Sequence, residues 1–192
     1  MAIISAAELL DMLVMTLFVG FIFKDAFHAR PKKRDVLEYY TGKRSRYWDG
    51  FYFAILATVP GIVLHELGHK FVALSFGMNA VFHAAYQWLG LGLILKLLNF
   101  GFIFFVPAFV SISGIGSPMQ YAIVAFAGPG INLVLWLISY IVVKFDLVDK
   151  KYMEIAVLSR KINLFLFFFN LIPIRPFDGY GVFSNLYAAF VG

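Results

Sequence analysis

From Phe51 to Val143 the only acidic or basic residues besides histidine are Glu66, Lys70 and Lys96. A stretch this long with three formal charges cannot cover a water-facing surface. It restricts the chain to folds whose outside is lipid, in which every backbone polar group is satisfied internally. The whole composition agrees, since charged residues make up 14% of the chain against about 25% in soluble domains. The remaining charges are segregated. Residues 24–50 carry eight basic side chains (Lys24, Arg30, Lys32, Lys33, Arg34, Lys43, Arg44 and Arg46) and four acids (Asp25, Asp35, Glu38 and Asp49). Residues 144–161 carry five basic and three acidic ones. Basic loops favour the cytoplasmic side, which places both segments inside, with Tyr47, Trp48 and Tyr52 at headgroup level. The net charge of +5 is local to these loops and gives no case for nucleic-acid binding. The chain has no cysteine, so disulfides and thiol chemistry are excluded.

Apolar runs predict spans at 5–24, 51–76, 118–143 and 156–174. The first has Glu8 and Asp11 and no basic residues before it, unlike a cleaved secretory signal, and is expected to stay in the mature protein. Residues 77–117 are different. Gly77, Gly90, Gly92, Gly101, Pro107, Gly114 and Gly116 interrupt them, and Pro118 follows directly. Two crossings, or a re-entrant element returning to its own side, would keep both basic loops inside. Residues 86–106 are long enough for one span, and 107–117 could dip back as a loop and strand. Broken backbone survives at membrane depth only where protein or a water-filled cavity satisfies it, so 107–117 is a candidate lining of an internal site. The expected fold is an all-α polytopic membrane protein. Three core spans carry the site, with an irregular or re-entrant element near 77–117 and an added N-terminal span. The corresponding divisions are an N-terminal helix (1–24), a basic cytoplasmic loop (25–50), a core (51–185) and a tail (186–192).

Within the second span lies IVLHELGHKFVAL, residues 62–74. Residues four apart share a helix face, so His65 and His69 point the same way and can grip one metal ion. Glu66 then lies beside the open coordination position, where it can take a proton from water. This geometry suits zinc. In hydrocarbon such a cluster is costly, which makes a functional reading the default. Lys70 is expected to face away or reach toward an interface. A third ligand is still needed, and the candidates are His83, Asp178, Glu8 and Asp11. Glu8 and Asp11 read as charges at a helix end, and the neighbours of His83 suggest a loop. Asp178 sits in FFFNLIPIRPFDGYGVF, where Pro173 and Pro176 must end or kink the helix after Asn170. Gly179 and Gly181 permit a tight turn that aims the carboxylate inward, and Asp178 is the favoured third ligand. Asn170 and Asn132 are amides in apolar sequence, each able to donate a hydrogen bond to an oxyanion or to join helices.

HELGH in a membrane helix, followed by NLIPIRPFDG, resembles the site-2 protease family of intramembrane zinc metalloproteases. Asn170, Pro173, Pro176, Asp178 and Gly179 match the family's Asn-x-x-Pro-x-x-Pro-x-Asp-Gly run. GPGIN, residues 128–132, is similar to the Gly-Pro that opens the family's middle core helix. PAFVSISG is similar to the region that forms an extended edge beside the substrate, though the glycine-rich form of that edge is absent. The likeness covers roughly residues 51–185. It implies one Zn2+ per chain on His65, His69 and Asp178, with Glu66 as general base and acid acting on zinc-activated water. It also implies a transmembrane protein as substrate, of the kind cut during regulated intramembrane proteolysis, and a multi-pass enzyme. The minimal size suggests a prokaryotic cell membrane. A proton- or metal-coupled transporter could use the same His/Glu/Asp cluster, but such proteins usually show internal repeats or further intramembrane charges, and neither is present here.

Overall fold

The computed structural model describes residues 3–25, 45–100 and 106–192, and side chains from residue 48 onward in the second stretch. Most of the basic 25–50 segment, and the headgroup position expected for Tyr47, fall outside these residues. Helix α1 spans Ala6–Phe23, α2 Ser45–Ser75, α3 Tyr86–Leu97, α4 Pro118–Lys144, α5 Lys150–Asn170 and α6 Asp178–Phe190. Strands β1 (Asn79–Ala84) and β2 (Ala108–Ser113) form a two-stranded antiparallel sheet.

Among the described residues, three helices are long and apolar enough to cross a bilayer: Ala6–Phe23, Trp48–Ser75 and Pro118–Lys144. Their outward faces are hydrophobic. On α1, Leu9, Leu10, Leu13 and Leu17 are exposed while Glu8, Met15, Val19 and Ile22 are buried. An apolar surface around a partly polar interior is what lipid as solvent selects. The fourth expected span corresponds to α5. It ends at Asn170, as the two prolines require, but begins at Lys150 and carries Glu154, Arg160 and Lys161. Most of the basic segment expected as a loop at 144–161 is therefore helix.

The expectation of a span over 86–106 is not met. Helix α3 has 12 residues, about 18 Å at 1.5 Å per residue against a hydrocarbon core of about 30 Å. The sheet takes its place. Ala80, Phe82 and Ala84 point inward while Asn79 and Val81 point out, the period-two alternation of a half-buried strand. Phe82 and Ala84 join Met15 and Val19 of α1, Val59 of α2, Leu89 of α3 and Ala108 of β2 in one core cluster. Ala80 packs with Met78, Ala73 of α2 and Val124 of α4 in a second. The irregular region is thus a sheet held between α1, α2 and α4.

Helix α4 starts at Pro118, capped by Ser117 in a capping box with Gln120. Gly128 and Pro129 therefore lie in mid-helix and do not open it.

Candidate active site

Helix α2 presents His65 and His69 toward α4 and α6. His65 Nδ1 lies 2.6 Å from Asn132 Oδ1. The Asn132 amide nitrogen donates to the Gly61 carbonyl (3.1 Å) and to Asn163 Oδ1 (3.0 Å), so its oxygen is left to accept from the imidazole. Asn163 Nδ2 in turn donates to the carbonyl and hydroxyl of Ser159. His69 Nδ1 lies 2.7 Å from the Val124 carbonyl, which can only accept. Both neutral imidazoles therefore carry hydrogen on Nδ1 and present a bare lone pair at Nε2.

Those two Nε2 atoms are 3.1 Å apart. Asp178 Oδ2 lies 3.0 Å from the first and 3.3 Å from the second. Three acceptor atoms this close repel one another unless a cation lies between them. A tetrahedral zinc with bonds of about 2.0–2.1 Å needs its ligand atoms about 3.3–3.4 Å apart. The triangle matches one face of that tetrahedron, and the residues fit the metal. Among the described residues this is the group of His, Asp and Glu side chains that could hold an ion.

Backbone packing makes the room. A Cβ on Gly128 would lie 2.3 Å from His69 Nε2 and 2.6 Å from His65 Nε2, so α4 approaches the imidazoles to glycine distance. A Cβ on Gly179 would lie 2.3 Å from the Leu171 carbonyl, so the first turn of α6 presses against the end of α5. That contact seats Asp178, the first residue of α6, beside the helix N-terminus whose partial positive charge favours a carboxylate.

The three side chains and Glu66 line a cavity of about 660 Å³, bounded also by Asn170, Tyr121, Asn185 and apolar side chains of β2 and α5. Asn170 stands at the cavity wall. Asn132 instead joins helices, its amide nitrogen bonding Gly61 of α2 and Asn163 of α5. It is fully buried and both its N–H groups are committed to other partners, so the geometry gives it His65 to orient instead. His83 lies in β1 and not in a loop. It pairs with Ser111 across the sheet (2.9 Å) and is not among the metal-fitting side chains.

Glu8, Asp11 and Lys70 differ most from expectation. Glu8 closes a capping box with Ser5, but its Oε1 also accepts from the buried Lys70 ammonium and from the Phe82 N–H (2.8 Å). Asp11 accepts from the Ala84 N–H (3.1 Å) and from the Tyr86 hydroxyl. Lys70 therefore turns inward, and the α1 carboxylates occupy the edge of β1 that β2 leaves open. Since Phe82 and Ala84 point their N–H groups away from β2, their partners Val110 and Ala108 form non-hydrogen-bonded pairs with them. Val110 and Ala108 thus direct their own backbone groups to the opposite edge of the sheet. That edge has no neighbouring strand among the described residues. Ala108, Phe109, Val110 and Ile112 line the cavity. Sequence reasoning missed Asn163, Tyr121 and Asn185, and the only signal was polarity within apolar runs.

Comparison with known proteins agrees with this geometry. The chain is 32% identical over 176 residues to a protein of Methanocaldococcus jannaschii named "Putative zinc metalloprotease", covering 91% of this chain and 82% of the relative. Proteins of the same description in Synechocystis (33% over 131 residues, 68% of this chain but 30% of the relative) and Bacillus subtilis (29% over 157 residues, 70% of this chain and 68% of the relative) are also similar. No family model matches the chain, and no solved structure matches it significantly. With the motif residues converging on one zinc-sized triangle, the chain belongs to the site-2 protease-like family of zinc metalloproteases.

Proposed function

We propose that this protein is an intramembrane endopeptidase that hydrolyses peptide bonds within or near transmembrane segments of other membrane proteins. The observation that carries the reading is the opening of His65, His69, Asp178 and Glu66 into one cavity among helices of membrane-spanning character. His65, His69 and Asp178 would hold zinc, which supplies Lewis acidity to a water and to the scissile carbonyl. Glu66 takes the proton from the attacking water and returns it to the leaving amine. Asn170 donates to the oxygen that gains charge. Asn132 and the Val124 carbonyl keep both imidazoles in the tautomer that leaves Nε2 free.

A helical peptide bond is occupied by its own hydrogen bonds, so the substrate must be extended at the cut. The unpartnered edge of β2 along the cavity offers it a strand to pair with. Val110→Pro is the suitable probe. It removes an N–H directed to that edge, whereas proline at Ser111, whose partner is Val81, would break the β1–β2 ladder. The substrate class is a transmembrane protein released by regulated intramembrane proteolysis, and the location is the cell membrane.

The test begins with zinc per chain in purified protein. About one equivalent is expected in the wild type and in Glu66→Gln, clearly less in Asp178→Ala, and cleavage in the wild type alone. Folded wild type that takes up no zinc would sink the reading. Cleavage unchanged in Val110→Pro would remove main-chain pairing at β2.

A further inference from the structure

Thr58 lies on α2 two turns before His65. Positions 58, 62, 65, 66 and 69 form one stripe of that helix, and all five residues line the cavity. Thr58 is 6% exposed, and its Oγ1 has no hydrogen-bond partner among the described residues. A threonine inside a helix ordinarily bonds its hydroxyl to the carbonyl three or four residues back. A buried hydroxyl left without that bond carries a desolvation cost that any partner entering the cavity would relieve. Two other polar side chains of the wall are differently placed. Asn185 donates to the Gly181 carbonyl at 2.7 Å and Tyr121 to the Gly114 carbonyl at 2.9 Å.

We propose that Thr58 is a substrate-binding residue whose hydroxyl pairs with a polar group of the peptide about three residues from the scissile bond. The inference rests on the peptidase reading for its substrate. Seven helical residues separate Thr58 from His65, about 10 Å at 1.5 Å per residue. An extended peptide covers that distance in about three residues at 3.3 Å each. The peptide's partner could be a hydroxyl or amide side chain, or a main-chain group. The chemistry is the same, and the two sources leave different signatures.

The probes are synthetic single-span peptides, polyleucine with a central Asn-Pro to loosen the helix and one serine or alanine at successive positions. Cleavage is measured with zinc-loaded wild type, Thr58→Val and Thr58→Ser, and binding with the same three forms carrying Glu66→Gln. Thr58→Val keeps shape and loses only the hydroxyl, so thermal stability should hold or rise. A loss of about fivefold in kcat/KM and affinity, the worth of one neutral hydrogen bond, is expected for Thr58→Val and recovery for Thr58→Ser. A loss confined to peptides with serine about three residues from the cut assigns a side-chain partner. An equal loss on every peptide assigns a main-chain partner. Values equal to wild type throughout would overturn the proposal. Binding that depends on Thr58 without any cleavage by the wild type would uphold the contact and reject the peptidase reading.

Discussion

The residue that most tightly limits the metal site is one without a side chain. A methyl group on Gly128 would sit within 2.3 Å of His69 Nε2 and 2.6 Å of His65 Nε2, in the space the ligand triangle encloses on that side. Gly128→Ala is therefore expected to remain folded while losing most of its bound zinc, read as metal per chain beside an unfolding curve. Asn132 is a second case. Replacing it with leucine removes the acceptor for His65 Nδ1–H, and loss of such a partner typically costs about 10–100-fold in metal affinity. Competition with a chromogenic chelator would measure this. Asn163→Leu acts one bond further away and should show a smaller loss, and equal losses would mean that the two amides act as one unit. The grouping of His65, His69 and Asp178 was legible because four-residue spacing on a helix and two prolines before an aspartate have fixed geometric consequences. The role of Asn132 was not, because its sequence position does not say whether its oxygen or its nitrogen faces the site. The same holds for Thr58, whose significance is a bond it does not make.

Among the elements, α1 carries more than its apolar sequence suggests. Glu8 joins three elements at once, α1 through Ser5, α2 through Lys70 and β1 through Phe82. Glu8→Ala leaves the Lys70 ammonium buried and unpaired, and breaking such a pair costs about 3–5 kcal/mol. Glu8→Leu combined with Lys70→Met removes both charges and should recover much of that loss, though the Phe82 N–H stays without its acceptor. Unfolding in mixed micelles would compare the three proteins, and a double variant as unstable as Glu8→Ala would mean that the Phe82 bond outweighs the ion pair. The long helices could be read from apolar runs and their ends from proline and charge. The sheet could not. Six residues such as AVFHA with its leading Asn79 alternate too briefly to stand out in a chain so apolar, and strand formation depends on pairing with Ala108–Ser113, 24 residues or more away. Nor could the acids of α1 be assigned, since their partners lie some 60 to 75 residues on.

For the whole molecule, the path of residues 77–117 decides which side of the membrane each loop occupies. β1 starts where α2 ends, with the Met78 N–H bonded to the Ala73 carbonyl. Phe82 then meets Glu8, and Ala84 and Tyr86 meet Asp11. Helix α3 goes on until Lys96 reaches Asp25, just past the end of α1, at 2.6 Å. This run therefore travels beside α1 and in the same direction. β2 resumes opposite Ala84 and returns to lie opposite Asn79, and α4 starts five residues later. The described parts of the region lead in and come back, so α2 ends and α4 begins at one face. The α4–α5 turn at residues 145–149 must then share a face with Asp25, whereas Ile3 and Ile115 share the other. The absence of native cysteine makes the check direct. In oriented vesicles, Asp25→Cys and Asp149→Cys should react with an impermeant maleimide from one side, and Ile3→Cys and Ile115→Cys from the other. By charge bias the first pair is expected to be the cytoplasmic one. Labelling of Asp149→Cys together with Ile115→Cys would require a complete crossing between β1 and α4, and would separate the two basic segments that this path places together.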